Sequence, residues 1–181
     1  MKRILLLTIL SIGLSTFAKA QVEVKINPIA LLFENVSVDV EFGLSNNWGL
    51  NISPIVAFNK FDVGEDEFRR TQFGAVVNPR YYFSPTKGIN KFYLGAYGKF
   101  QTGKIALVSN TDDNVKNTRL AVGINIGYKI VTNGNFVFDI GFGLGRAFIN
   151  EYSNETGGVD LSEFPLFNID ATGIFAIGYR F

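Results

Sequence analysis

Apolar and polar residues alternate along almost the whole chain after residue 20. In residues 118–130 the even positions are Leu120, Val122, Ile124, Ile126, Tyr128 and Ile130, against Arg119, Ala121, Gly123, Asn125, Gly127 and Lys129. Residues 136–148 set Phe136, Phe138, Ile140, Phe142, Leu144 and Phe148 against Asp139, Gly141, Gly143 and Gly145. Residues 36–44, 48–58 and 73–83 carry the same signature, with Val40, Trp48, Leu50, Phe73 and Tyr81 on their apolar faces. A period of two puts successive side chains on opposite faces of a strand, so each run predicts a strand with one apolar face. Residues 91–103 are rich in β-formers, with faces less cleanly sorted. Residues 22–33 predict the weakest strand, because Pro28 cannot donate to a ladder. The last run places Ala171, Gly173, Phe175, Ile177, Tyr179 and Phe181 on one face, opposite Asp170, Thr172, Ile174, Ala176, Gly178 and Arg180.

Turn residues punctuate the runs at Glu34-Asn35, Ser45-Asn46-Asn47, residues 84–88 and Asn133-Gly134-Asn135. The count is eight strands in one all-β domain, residues 21–181. In chain order the connections are residues 34–35, 45–47, 62–68, 84–90, 107–116, 132–135 and 150–163. Apart from the first, the odd-numbered ones are at least as long as their even-numbered neighbours. In an eight-stranded antiparallel up-and-down barrel, alternate connections share a rim. Short turns on one rim and long loops on the other is the arrangement of transmembrane β-barrels.

Alternation alone does not say which face is outside. A soluble lipocalin-like barrel turns its apolar face inward around a ligand, whereas a membrane barrel turns it to lipid. A solvated polar face would be rich in Lys, Glu, Thr and Gln. Here that face is Gly, Ala, Asn and Ser with isolated charges, which suits a crowded interior, and eight strands enclose only enough room for side chains. The charges on it nearly balance: Glu23, Asp39, Glu41, Asp139 and Asp170 against Lys25, Arg80, Lys99, Arg119, Lys129 and Arg180. Buried charges need partners, so these residues form a salt-bridged interior network or sit at wet rims.

The chain begins with Lys2 and Arg3, runs apolar through residues 4–17 and reaches Ala18-Lys19-Ala20. A basic start, a short apolar stretch and a small-residue site predict a secretory signal peptide over residues 1–20. There is no cysteine for lipid attachment. Without Lys2, Arg3 and Lys19 the formal charge moves from +1 to −2, with 14 basic against 16 acidic residues. That balance, without a clustered basic surface, argues against nucleic acid as a partner.

With these residues in view, the chain resembles the small OmpA/OmpX-type outer-membrane barrels. In that group a C-terminal strand ending in Phe, with apolar residues two apart, is read by the outer-membrane assembly machinery. The matching positions here are Gly173, Phe175, Ile177, Tyr179 and Phe181. The stretch "KINPIALLFENVSVDVEFGLSNNWGL" (residues 25–50) is similar to a largely uncharacterised family of Bacteroidetes-type outer-membrane barrels. The resemblance implies a Gram-negative outer-membrane location and a monomer in contact with lipid and lipopolysaccharide. It implies almost nothing about activity.

The chemistry is sparse. The chain has no histidine and no cysteine, which removes the usual general base and a Ser-His-Asp triad. Zinc would have to be held by carboxylates alone, against its preference for N and S donors. Gly141, Gly143 and Gly145 miss the spacing of a phosphate-binding G-x-G-x-x-G and lie on one strand face, where relief of crowding explains them. Catalysis and cofactors are therefore not expected. Ten of the 16 acidic residues fall in residues 62–68, 107–116 and 150–163. They predict hydrated rim loops, or a site for a divalent cation or a cationic surface partner. The expected role is structural or surface-interacting. A small pore and a soluble ligand-binding barrel are the alternatives.

Overall fold

The computed structural model describes residues 21–32, 34–63, 66–107, 114–154, 157–160 and 168–181. The expected signal peptide and the tips of the long connections lie outside the described residues. The elements in order are β1 (Val22–Ile26), α1 (Pro28–Leu32), β2 (Asn35–Gly43), β3 (Trp48–Val63), β4 (Asp66–Tyr82), β5 (Lys91–Leu107), β6 (Asn114–Val131), β7 (Phe136–Asn154), β8 (Gly157–Asp160) and β9 (Ile169–Arg180).

Every pairing is antiparallel. Strands β1 to β7 pair in sequence, β7 pairs with β9, and β9 pairs with β1, so eight strands close an up-and-down ring. The ninth, β8, pairs among the described residues only with the end of β7. Starting at Val24, the paired residues run through Val40, Ile52, Val77, Gly98, Val122 and Arg146 to Ile169. Val24 itself pairs with Tyr179, ten residues further along β9. This offset is the shear of the barrel, and it tilts the strands by roughly 35–45°.

Two expectations are corrected. First, β1 stops at Ile26 instead of running to residue 33. Pro28 has no N–H for a ladder and suits the first position of a helix. The Asn27 side chain caps that helix, its Oδ1 accepting the Ala30 N–H at 2.9 Å. Second, the strands outlast their alternation. β3 runs to Val63 and β4 starts at Asp66, so most of residues 62–68 is strand, and β5, β6 and β7 likewise extend into the expected loops. A bulge at Leu120/Ala121 shifts the register there. The hydrogen-bonded ladder continues above the apolar zone, but the contrast between faces that marks a strand in sequence does not.

The apolar face points outward. Val122, Ile124, Ile126, Ile130, Phe136, Phe138, Ile140, Phe142 and Leu144 are all exposed, while Asn125, Lys129, Asp139 and Arg80 are buried inside the ring. The small apolar cluster inside, Tyr82, Ile89 and Tyr93, sits near the rim of short turns.

Candidate functional site

The interior carries charge where a soluble barrel carries its core. At the short-turn end, Lys25 lies 2.5 Å from Glu41 and 3.0 Å from Asp139, and Arg80 lies 3.1 and 2.7 Å from the same two carboxylates. Lys129 bridges Glu23 at 2.8 Å and Glu41 at 3.0 Å. The Arg180 Nε donates to Glu23 at 2.9 Å, and its Nη2 donates to the Ile89 carbonyl at 2.9 Å. Tyrosines complete the plug. The Tyr93 hydroxyl donates to Asp139 at 2.9 Å, the Tyr82 hydroxyl donates to Glu41, Arg80 lies over the Tyr93 ring and Lys129 over the Tyr82 ring. These charges come from β1, β2, β4, β6, β7 and β9, so the network forms only when the ring is closed. Each carboxylate faces at least two cations, which is how charges persist away from water.

A smaller cluster lies higher. Asp170 is 3.1 Å from Lys99 and 3.6 Å from Arg119, and it accepts from the Tyr97 hydroxyl at 2.9 Å. Arg119 is partly exposed and also donates to the Ile169 carbonyl. Of the expected network, Glu41, Arg80, Lys129, Asp139 and Arg180 join the plug, with Glu23 and Lys25. Arg119 and Asp170 form the upper cluster with Lys99.

Asp39 joins neither group, which corrects its place in the network. It faces Lys25 in the β1–β2 register, but the Lys25 ammonium turns toward Glu41 and Asp139, where two carboxylates converge. The tyrosines are what the sequence reading missed. Residues 91–103 sort poorly because Tyr93 and Tyr97 point inward, among residues that are otherwise polar or glycine. Their signal is the glycine opposite: a Cβ on Gly123 would come within 2.6 Å of the Tyr97 ring, and one on Gly145 within 2.7 Å of its hydroxyl. Relief of crowding, the role expected for Gly141, Gly143 and Gly145, is what this geometry requires.

Between the two clusters is a cavity of about 320 Å³, lined by Asp39, Asn51, Ser53, Asn78, Arg80, Lys99 and Asn125. It reaches the wall where β1 ends. Above Ile26, β9 and β2 have no strand between them among the described residues, since β9 pairs with β1 only from Ile177 to Arg180. Asn27 and Ala30 of α1, Asn35 and Ser37 of β2, and residues 171–174 of β9 line the cavity at this opening in the strand ladder, and α1 packs against both β2 and β9 across it.

The outer wall carries two aromatic rings. The lower one surrounds the short-turn rim. Trp48 packs on Tyr81 at 5.2 Å between ring centroids, Tyr81 on Phe83 at 5.1 Å, and Phe83 on Phe92 at 5.6 Å. Phe136 packs on Tyr179 at 5.8 Å, and Tyr179 on Phe181 at 5.1 Å. The upper ring is Phe58, Phe73, Phe100 and Phe148, all exposed. Trp48 and Phe58 are ten residues apart on β3, about 25 Å along the barrel axis at a rise of about 3.3 Å per residue and this tilt. Gly173, Phe175, Ile177, Tyr179 and Phe181, the expected assembly signal, all lie on this outer side. Tyr179 and Phe181 sit in the lower ring and Gly173 beside the wall opening.

No curated protein and no solved structure matches the chain. One family does, described as "Protein of unknown function (DUF3575)", over residues 4–163. That stretch takes in β1 to β8, with most of the charged plug and the first border of the wall opening, so the chain belongs to the DUF3575 family.

Proposed function

We propose that this protein is an outer-membrane β-barrel of OmpA/OmpX type, monomeric, closed to bulk flow, and serving a structural or surface-interaction role. One observation carries this reading: a band of exposed apolar side chains about 25 Å tall, edged by aromatic rings, around a charged interior. Such a band suits a bilayer's hydrocarbon layer, and aromatic girdles suit its interfaces. In water, an exposed apolar belt of this extent would drive aggregation. The wall above the upper ring adds support. Lys104 stands opposite Lys116, both exposed on the outer side. Like charges directly opposite destabilise a sheet, and anionic lipid head groups such as lipopolysaccharide phosphates would offset that repulsion. The ion-paired plug favours a closed barrel over a pore. Nothing in the interior supplies a histidine or thiol for the usual hydrolytic machinery, so a non-enzymatic role is proposed.

Cell fractionation tests the reading. The protein should pellet with outer membranes and migrate faster on gels when unheated, as folded barrels do. Protease added to intact cells should cut within residues 150–163 and spare residues 132–135. Recovery in the periplasmic supernatant would overturn the membrane assignment, and the reverse cleavage pattern would invert the orientation.

A further inference from the structure

Asp39 is 8 % exposed and Asn51 is 2 % exposed, and both line the interior cavity. The Asp39 carboxylate has neither an ion pair nor a hydrogen bond among the described residues, and the Asn51 Oδ1 has no donor. A carboxylate that faces an interior cavity with no counter-charge beside it calls for an explanation. The two cations that line this cavity are already engaged: Arg80 with Asp139 and Glu41, and Lys99 with Asp170. What the site lacks is a cation with N–H donors.

The wall opening supplies a route. It lies above the lower aromatic ring and, once the shear is followed, below the upper one, within the apolar band. Irregular backbone at membrane depth is tolerated where it lines a polar cavity, and here the cavity lies directly behind it. The border is amphipathic. Asn27 and Ala30 line the cavity, while Ile29, Leu31 and Leu32 of the same short helix are exposed. About 320 Å³ is at the small end of ligand sites, roughly 300–1,000 Å³. It holds a head group and a few methylenes, and a longer chain would have to lie outside.

We infer that the gap between β2 and β9 is a lateral portal through which the barrel takes up a single-chain amphiphile with a protonated amine head. The ammonium pairs with Asp39 and donates to Asn51, and the alkyl chain leaves past Ala30 and Gly173 into the apolar surroundings of α1. This rests on the lipid-facing reading above, so the test separates the two.

The full-length barrel, refolded and floated with phosphatidylcholine vesicles, is titrated with dodecylamine, dodecanol and dodecyl sulfate. Binding is read from the rise in the temperature at which the folded gel band converts to the unfolded one. Dodecylamine should raise it, and half-saturation should weaken at least tenfold in Asp39→Asn. Gly173→Trp should abolish the shift, because it fills the portal edge, where a Cβ meets nothing within 4 Å. Gly98→Trp, equally unobstructed but on the intact wall, should leave the shift unchanged. A barrel that floats but binds dodecyl sulfate or dodecanol as well as the amine overturns the inference alone. So does a shift that survives both Asp39→Asn and Gly173→Trp. If Asp39→Asn does not fold, the paired tryptophan variants decide. A protein that does not float overturns the membrane reading and this inference with it.

Discussion

Asp139 and Arg119 both place a charge inside the barrel, and their surroundings make them unequal. Asp139 is fully buried and accepts from Lys25, Arg80 and Tyr93. Asp139→Asn leaves two cations facing a neutral amide, and removing one member of a buried pair costs about 3–5 kcal/mol. Arg119 is partly exposed, its Asp170 partner keeps Lys99, and the contact is 3.6 Å long. Arg119→Gln should therefore cost clearly less than Asp139→Asn. Urea midpoints of the barrel refolded in detergent measure both, and comparable losses at the two sites would contradict this partition of the interior. Gly123 shows the same dependence on surroundings. Its missing Cβ is the space the Tyr97 ring occupies, so Gly123→Ala should displace Tyr97 and detach its hydroxyl from Asp170. A tyrosine fluorescence or absorbance spectrum identical to wild type would argue against that displacement.

At the scale of the element, each strand is read against the height of the apolar band rather than its own ends. In β6, Leu120 pairs with Phe100 of the upper ring, whereas Ile124 and Ile126 lie between the rings. An arginine facing lipid costs about 2–4 kcal/mol at the midplane and about 0–1 near the interface. Ile124→Arg should consequently destabilise far more than Leu120→Arg in vesicle-refolded protein. Equal tolerance along β6 would mean that this face meets water. The short helix α1 owes its existence to Asn27-Pro28, which ends a strand and caps a helix in two residues. It leaves the β9 edge over Ile169–Ala176 without a strand partner on that side among the described residues.

At the scale of the molecule, closure is the organising constraint. The last strand pairs with the first, and the Phe181 N–H donates to the Val22 carbonyl at 2.8 Å. Phe181 also caps the lower aromatic ring against Tyr179. Packing and an assembly signal therefore converge on one residue, and two assays separate them. Phe181→Ala should reduce the amount of folded, membrane-assembled protein in cells more than it lowers the urea midpoint of the refolded barrel. Equal losses would assign the side chain to packing alone, and no loss in either assay would make it incidental.

The sequence by itself determined the all-β class, the alternation, the outward apolar face and the residues that share the interior. All of these follow from the strand period of two, which is local and survives without knowledge of neighbours. The up-and-down order was also legible, because turn residues mark each reversal. What only the tertiary structure decided is which interior charges meet. Glu23 and Arg180, or Arg80 and Asp139, are far apart in the chain and come together through the shear of the closed ring. The same closure left Asp39 without an ion pair among the described residues although its register neighbour is a lysine, because Lys25 lies closer to two other carboxylates. The wall opening was half legible: Pro28 marked a weak strand, but a strand that stops becomes a portal only when the strands on either side stay in place. Periodicity describes a face, whereas a contact across a barrel depends on how many strands close it and with what offset.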